Sequence, residues 1–185
     1  EYLINAQGED VVAGTRTPQY ITKKARNDAK AKEASMEESM PKVFKQLDKL
    51  STKDTIIASS SSYLLISKIS EDVEYRDRCI NAHPALPPHV VPFVEVGGGP
   101  NTSKSIIDKA LSIYKKANYA AIVINKETEG FILNRLQGAL LNEAVRLHEG
   151  GFASMEDIDI ALKHALGIRW AFMGPFEIMD LNAPE

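Results

Sequence analysis

The sequence predicts an α/β fold with a parallel sheet, followed by an all-α segment. Three observations carry this reading. Between residues 54 and 124, short apolar runs bounded by turn formers alternate with helical periodicity. Near residues 125–130 the register changes to one long amphipathic helix. Beyond that helix, glycine stops and a capping pattern punctuate only helical segments.

Residues 1–35 mix charges and turn formers without sustained periodicity, so the start of the chain is expected to be poorly defined. From Met36 the spacing of Met40, Val43, Phe44 and Leu47 predicts a helix ending near Leu50. Asp54–Ala58 (DTIIA) reads as a buried strand. Four serines follow, then a short helix-like stretch from Tyr63 to Ile69. A second strand is predicted at Arg78–His83, a turn at PALPP, and a third strand at Val90–Val96. Gly97–Gly99 and Pro100 break the pattern. Asn101 or Thr102 is expected to cap a helix reaching about Ala117, ahead of a fourth strand at Tyr119–Ile124.

After Gly130, the residues Phe131, Leu133, Leu136, Leu140, Ala144 and Leu147 form a broad apolar stripe, and Gly150 and Gly151 end that helix. Ser154 with Asp157 three positions on is a variant of the capping box, opening a helix to about Leu166. A loop and a partial helix complete the chain. The domains expected are 1–125, an α/β unit with 1–35 poorly defined, and 126–185, the start of a helical one.

Composition narrows the class. Of 185 residues, 44% are hydrophobic and 25% charged, the balance of a globular protein. A formal net charge of −3 gives no electrostatic reason to expect nucleic acid or an anionic membrane as partner. No apolar run approaches the roughly 20 residues of a membrane span. The single cysteine, Cys79, forbids an internal disulfide; with no signal-peptide pattern, a cytoplasmic setting is expected, with Cys79 buried in its strand. Since the chain opens on Glu1, it is expected to be part of a longer protein.

Four polar residues fall at strand ends or at the start of the long helix: Ser62, His83, Glu95 and Asn134. Ligands of open α/β sheets sit beyond the carboxyl ends of strands, which places Ser62 and His83 in the right zone. The reference pKa of histidine suits a general base near neutral pH, and Glu95 on an adjacent strand could hold its second ring nitrogen. The residues alone leave open a packed His83 with Glu95 turned to solvent. Asn134 sits in an apolar helix turn, where an unpartnered amide costs ~1–3 kcal/mol. Arg169 could grip a carboxylate in a bidentate pair, or simply be solvated. His148 and His164 read as structural, and no His or Cys spacing suggests a metal site.

Four blocks, ASSSSYLLISKI, RCINAHPALPPHVVPFVEV, EGFILNRLQGALLNEAVRL and GIRWAFMGPFEIMDLNAP, match a known pattern in order and spacing from about Lys42 to the end. On these blocks the chain resembles the 3-hydroxyacyl-CoA dehydrogenase family, in its lambda-crystallin (L-gulonate 3-dehydrogenase) branch. The resemblance implies the C-terminal part of a Rossmann-like parallel-sheet domain followed by the start of a helical domain that forms a homodimer. It also implies hydride transfer between NAD and the 3-hydroxyl carbon of a substrate. His83 would be the base, Glu95 would orient its imidazole, and Ser62 and Asn134 would hydrogen-bond the reacting oxygen or the imidazole. HPALPP, with the GxRxxFxGPxExMxLNA pattern at 167–183, favours a small 3-hydroxy acid over a CoA thioester, with Arg169 on its carboxylate. The alternatives are a 3-hydroxyacyl-CoA dehydrogenase proper and a non-catalytic, crystallin-like structural fragment.

Two departures stand out. Leu86 occupies a position where the family has asparagine. No G-x-G-x-x-G follows a strand, and the GGGP at 97–100 lacks the spacing. Glu33, with Ser62, is the residue the resemblance would place near the cofactor.

Overall fold

The computed structural model describes residues 23–183. Its elements are α1 (Lys23–Leu50), β1 (Ile57–Ser59), α2 (Ile66–Ile69), β2 (Cys79–Pro84), β3 (Phe93–Gly98), α3 (Lys104–Lys116), β4 (Ala120–Ile124), α4 (Phe131–Glu149), α5 (Met155–Ala161), α6 (Ile168–Trp170) and α7 (Pro175–Asn182). Packing divides the chain into two compact units, Glu1–Leu136 and Gln137–Glu185, so the division falls inside α4.

The first unit is built on a four-stranded sheet in the order β1-β2-β3-β4. β1–β2 and β3–β4 are parallel, whereas β2–β3 is antiparallel. The sheet is therefore mixed, not parallel throughout as the sequence reading expected. The cause is the connection Ala85–Pro92. It is shorter than the roughly dozen residues that a parallel crossover requires, so β3 has to run back along β2.

Each face of the sheet has its own core. On one side Ile57 and Cys79 pack with Phe44 of α1, with Leu64, Ile66, Ile69 and Val73, and with half-buried Met36 and Met40. On the other, Ile80, Ala82, Val94 and Val96 pack with Ala110 and the half-buried Ile106, Ile107 and Leu111 of α3. Alternation along β2 thus sends Cys79, Asn81 and His83 to the α1–α2 face and Ile80 and Ala82 to the α3 face. Cys79 is fully buried, and that burial pushes its thiol up to about 11.

Several element ends differ from the sequence reading. α1 already runs from Lys23, across part of a segment that shows no apolar periodicity; residues 1–22 lie outside the described residues. β1 starts at Ile57 rather than Asp54. Ser103, not Asn101 or Thr102, caps α3, its side chain accepting from the Ile106 amide. Thr102 is committed elsewhere: its hydroxyl donates to the Cys79 carbonyl and accepts from the Gly99 amide.

A buried ion pair locks α1 to the start of β2. Arg78 is 1% exposed and donates from Nη2 to Asp48 Oδ1 at 2.7 Å and to the Asp48 carbonyl at 3.0 Å. Its Nη1 donates to Ser51 Oγ and to the Thr52 and Thr55 carbonyls. One guanidinium thereby binds a carbonyl of the last turn of α1 and two of the loop beyond it, and neutralises the Asp48 carboxylate.

In the second unit Ser154 caps α5 as expected, accepting from the Asp157 amide at 3.1 Å. The helix runs on as a π-helical stretch, Leu162–Gly167, into α6. Gly151, at φ +72°, follows α4 where the sequence puts its stop. None of α5, α6 or α7 has a buried residue, and Phe172, Phe176 and Leu181 are largely exposed. Among the described residues no helix is long and apolar enough to cross a membrane.

The Arg78–Asp48 pair sets two expectations. Arg78→Ala, which strands a buried carboxylate, destabilises the chain by about 3–5 kcal/mol in urea unfolding. Burial alone raises the Asp48 carboxyl, but hydrogen bonds from Arg78 and the Glu74 and Tyr75 backbone, with the Arg78 charge, outweigh it and leave the group below its ordinary value. A depressed carboxyl contributes stability above its unfolded value, near ~3.9, which is lost as pH falls through the folded value. The melting temperature should therefore drop below about pH 4. Asp48→Asn should flatten that part of the profile.

Candidate active site

The antiparallel β2–β3 pair places His83 directly opposite Glu95. Facing residues on adjacent strands share a side of the sheet, so the two side chains meet. His83 Nδ1 lies 2.7 Å from Glu95 Oε2. Both are buried, His83 at 5% exposure and Glu95 at 0%. The alternative in which Glu95 turns to solvent is thereby excluded.

Glu95 is held on its other oxygen as well. Oε1 accepts from the amides of Ile132 and Leu133, each at 2.9 Å. These amides belong to the first turn of α4, where backbone N–H groups lack intrahelical partners and the helix dipole favours a negative charge. A carboxylate from the sheet thus caps a helix from a distant part of the chain. The approach depends on two left-handed residues, Gly130 at φ +75° and Phe131 at φ +50°. Phe131 is 2% exposed, and its ring lies 5.2 Å from the His83 ring, centroid to centroid.

The hydrogen bond to Glu95 calls for a proton on Nδ1 in the neutral imidazole, which leaves the Nε2 lone pair as the basic site. Among the described residues Nε2 makes no hydrogen bond. An imidazole held by a buried carboxylate, with its second nitrogen unengaged, can take up a proton and have the resulting charge stabilised.

Ser62 follows β1, in a loop organised by its neighbours. Ser61 Oγ accepts from the Leu64 amide at 3.0 Å, and Ser59 Oγ from the Ser61 amide at 3.2 Å. Asn134, half-buried in the first turn of α4, donates from Nδ2 to the Ser62 carbonyl at 3.2 Å. The structure therefore brings Ser62 and Asn134 together, and His83 and Glu95 together, in the first unit. Arg169 is exposed, in the second unit. Glu33 is in α1, but its side chain lies outside the described residues. Leu86 is 47% exposed and puts no polar group beside the turn after β2.

Sequence reasoning missed the two α4 amides and the Phe131 ring. The Ile132 and Leu133 amides carry no residue-type signature, and only the glycine ahead of them was a signal. Phe131 reads as part of a helical stripe although it packs on the imidazole. Asn81 was visible as a lone amide in the apolar strand CINA. Among the described residues no group of three or more His, Cys, Asp or Glu could hold a metal ion.

Comparison with known proteins gives the class first. Residues 5–128 match the 3-hydroxyacyl-CoA dehydrogenase NAD binding domain, and residues 130–184 match the C-terminal domain of the same enzymes. The chain belongs to the 3-hydroxyacyl-CoA dehydrogenase family. It is 43% identical over 142 residues to the lambda-crystallin homolog of Rattus norvegicus, covering 77% of this chain and 44% of that protein. It is 37% identical over 139 residues to the L-carnitine dehydrogenase of Oceanobacillus iheyensis, covering 75% and 45%. The chain thus spans less than half the length of these relatives. Among solved structures it resembles 5-formyl-3-hydroxy-2-methylpyridine 4-carboxylic acid 5-dehydrogenase, an NAD+-dependent dismutase. That match has a TM-score of 0.76 and 31% identity, over 80% of this chain and 48% of the other. The 3-hydroxyacyl-CoA dehydrogenase of Archaeoglobus fulgidus gives 0.70 and 26%, over 78% and 49%.

The family model matched by residues 5–128 describes an NAD binding domain. The three glycines at the end of β3, Gly97–Gly99, are not a phosphate cradle, because each is closed by protein. A Cβ on Gly98 would stand 2.6 Å from Thr102 Cβ, one on Gly97 3.2 Å from Ile124 Cβ, and one on Gly99 3.2 Å from Ile66 Cγ2. Those glycines let β3 pack against β4, α2 and the turn into α3, and among the described residues no glycine loop offers amides to a pyrophosphate.

Gly130 gives a direct test of the α4 entry. An added Cβ there meets nothing closer than 3.6 Å, so the cost of Gly130→Ala is conformational. It should be about 1–2 kcal/mol in chemical denaturation, and Gly130→Asn, which tolerates the left-handed region, should recover part of it.

Proposed function

We propose that the protein of which this chain forms part is an NAD-dependent oxidoreductase that oxidises the 3-hydroxyl of a small, L-gulonate-like 3-hydroxy acid. The observation that carries the reading is the buried His83–Glu95 pair with its Nε2 side unengaged. His83 Nε2 takes the proton from the 3-hydroxyl, and Glu95, fixed by the α4 amides, stabilises the imidazolium that results. Asn134 holds the Ser62 carbonyl, which supports a role for Ser62 at the reacting oxygen with Asn134 behind it. NAD, when bound, supplies the hydride acceptor.

The small-acid substrate is supported by the relatives. Lambda-crystallin homologs and L-carnitine dehydrogenases both match over about three quarters of the chain, and L-carnitine is itself a 3-hydroxy acid. Arg169 is the candidate for the substrate carboxylate. The exposed aromatic and aliphatic side chains of the second unit support association into a homodimer through the helical domain. A second reading, a crystallin-like structural role without catalysis, is favoured by one observation: the described residues offer no pyrophosphate cradle.

Turnover decides between the readings. The chain is assayed by NADH absorbance with L-gulonate, with L-carnitine, and with acetoacetyl-CoA in reverse. Oxidation of a free hydroxy acid, lowered by about 10²–10⁴-fold in His83→Gln, supports the base assignment. Turnover of acetoacetyl-CoA alone would move the substrate to a thioester. No saturable change in NADH fluorescence on titration would leave the structural role for this chain.

A further inference from the structure

Asn81 occupies the middle of β2, between Ser59 of β1 and Gly97 of β3. It is 2% exposed, and its strand neighbours Ile80 and Ala82 are apolar and buried. A β-branched apolar residue would suit such a central position, and an amide there loses hydration that only hydrogen bonds can restore. Asn81 restores little of it. Nδ2 donates to the Leu64 carbonyl at 2.9 Å, while Oδ1 has no hydrogen-bond partner among the described residues.

The one side-chain bond it makes among the described residues falls on the loop that carries Ser62. That loop is gripped at two carbonyls, Ser62 by Asn134 Nδ2 and Leu64 by Asn81 Nδ2, and closed from within by Ser61 Oγ on the Leu64 amide. Asn81 also lies two residues before His83, on the same face of the same strand. The strand that carries the imidazole therefore carries the peg for the serine loop, and any displacement of β2 moves both together.

We propose that Asn81 is a positioning residue that fixes Ser62 relative to His83. The proposal rests on the dehydrogenase reading, in which Ser62 works beside that histidine. Misplacing a reacting group by about an ångström can cost up to about 100-fold in rate, so a peg of this kind acts on kcat.

The test compares the wild-type chain with Asn81→Val by amide hydrogen exchange and by steady-state kinetics with NAD. The expected result is exchange accelerated at Tyr63 and Leu64 but unchanged at Ala82 and Val94. It comes with kcat lowered at least about tenfold and the KM for NAD unaltered. Loop protection and kcat equal to wild type would overturn the proposal, as would exchange accelerated equally across the whole sheet. Should Asn81→Val not fold, the Asn81 side-chain amide protons of the wild-type chain decide. Exchange much slower than that of exposed Asn101 supports the peg, and exchange as fast sinks it. A wild-type chain without turnover would count against the dehydrogenase reading, and the exchange measurements would still decide Asn81.

Discussion

A carboxylate with no exposed surface is tolerated only if both of its oxygens are satisfied, because desolvation costs several kcal/mol per ion even after relaxation. Glu95 meets this condition with two kinds of partner, the His83 ring on one oxygen and two helix amides on the other. Much of the first unit follows from that arrangement. The antiparallel run of β3 along β2 sets the carboxylate opposite the imidazole, and α4 begins where its first amides reach the other oxygen. The chain must turn left-handed at Gly130 and Phe131 to enter the helix in that orientation. Glu95 is therefore at once the cap of a helix and the orienting partner of the candidate base.

The second buried charge serves a different end. Arg78 and Asp48 neutralise each other and tie the end of α1 to the start of β2, and among the described residues no imidazole is part of the cluster. Burial of an ion pair is thus not a mark of chemistry by itself. What separates Glu95 from Asp48 is the partner: a guanidinium has no lone pair to offer, whereas a neutral imidazole with one unengaged nitrogen can accept a proton there.

The strands were legible as apolar runs, and the CINAH and FVEV segments lie where the pattern put them. Their relative direction was not in the periodicity but in the length of PALPPHVVP, a signal that the parallel reading passed over. The first part of α1 was hidden for another reason. Its lysines and alanines form helix by intrinsic propensity and make no apolar stripe to count. At the site, the residue types alone left a packed histidine and a base both open; the base was an expectation carried by the resemblance of the four blocks. The Ile132 and Leu133 amides were illegible because any residue supplies an N–H, and the geometry that aims them comes from the fold. Asn81 stood in plain view, but its meaning depends on which carbonyl it meets.

The central physical claim is that Glu95 fixes the proton of His83 on Nδ1 and leaves Nε2 as the base. The direct measurement is nitrogen-15 NMR of the His83 ring in the neutral form, which distinguishes the two tautomers. An Nδ1–H tautomer in the wild-type chain, lost or mixed in Glu95→Ala, is the predicted result. A predominant Nε2–H tautomer in the wild type would contradict it, because the nitrogen proposed as the base would already carry a proton.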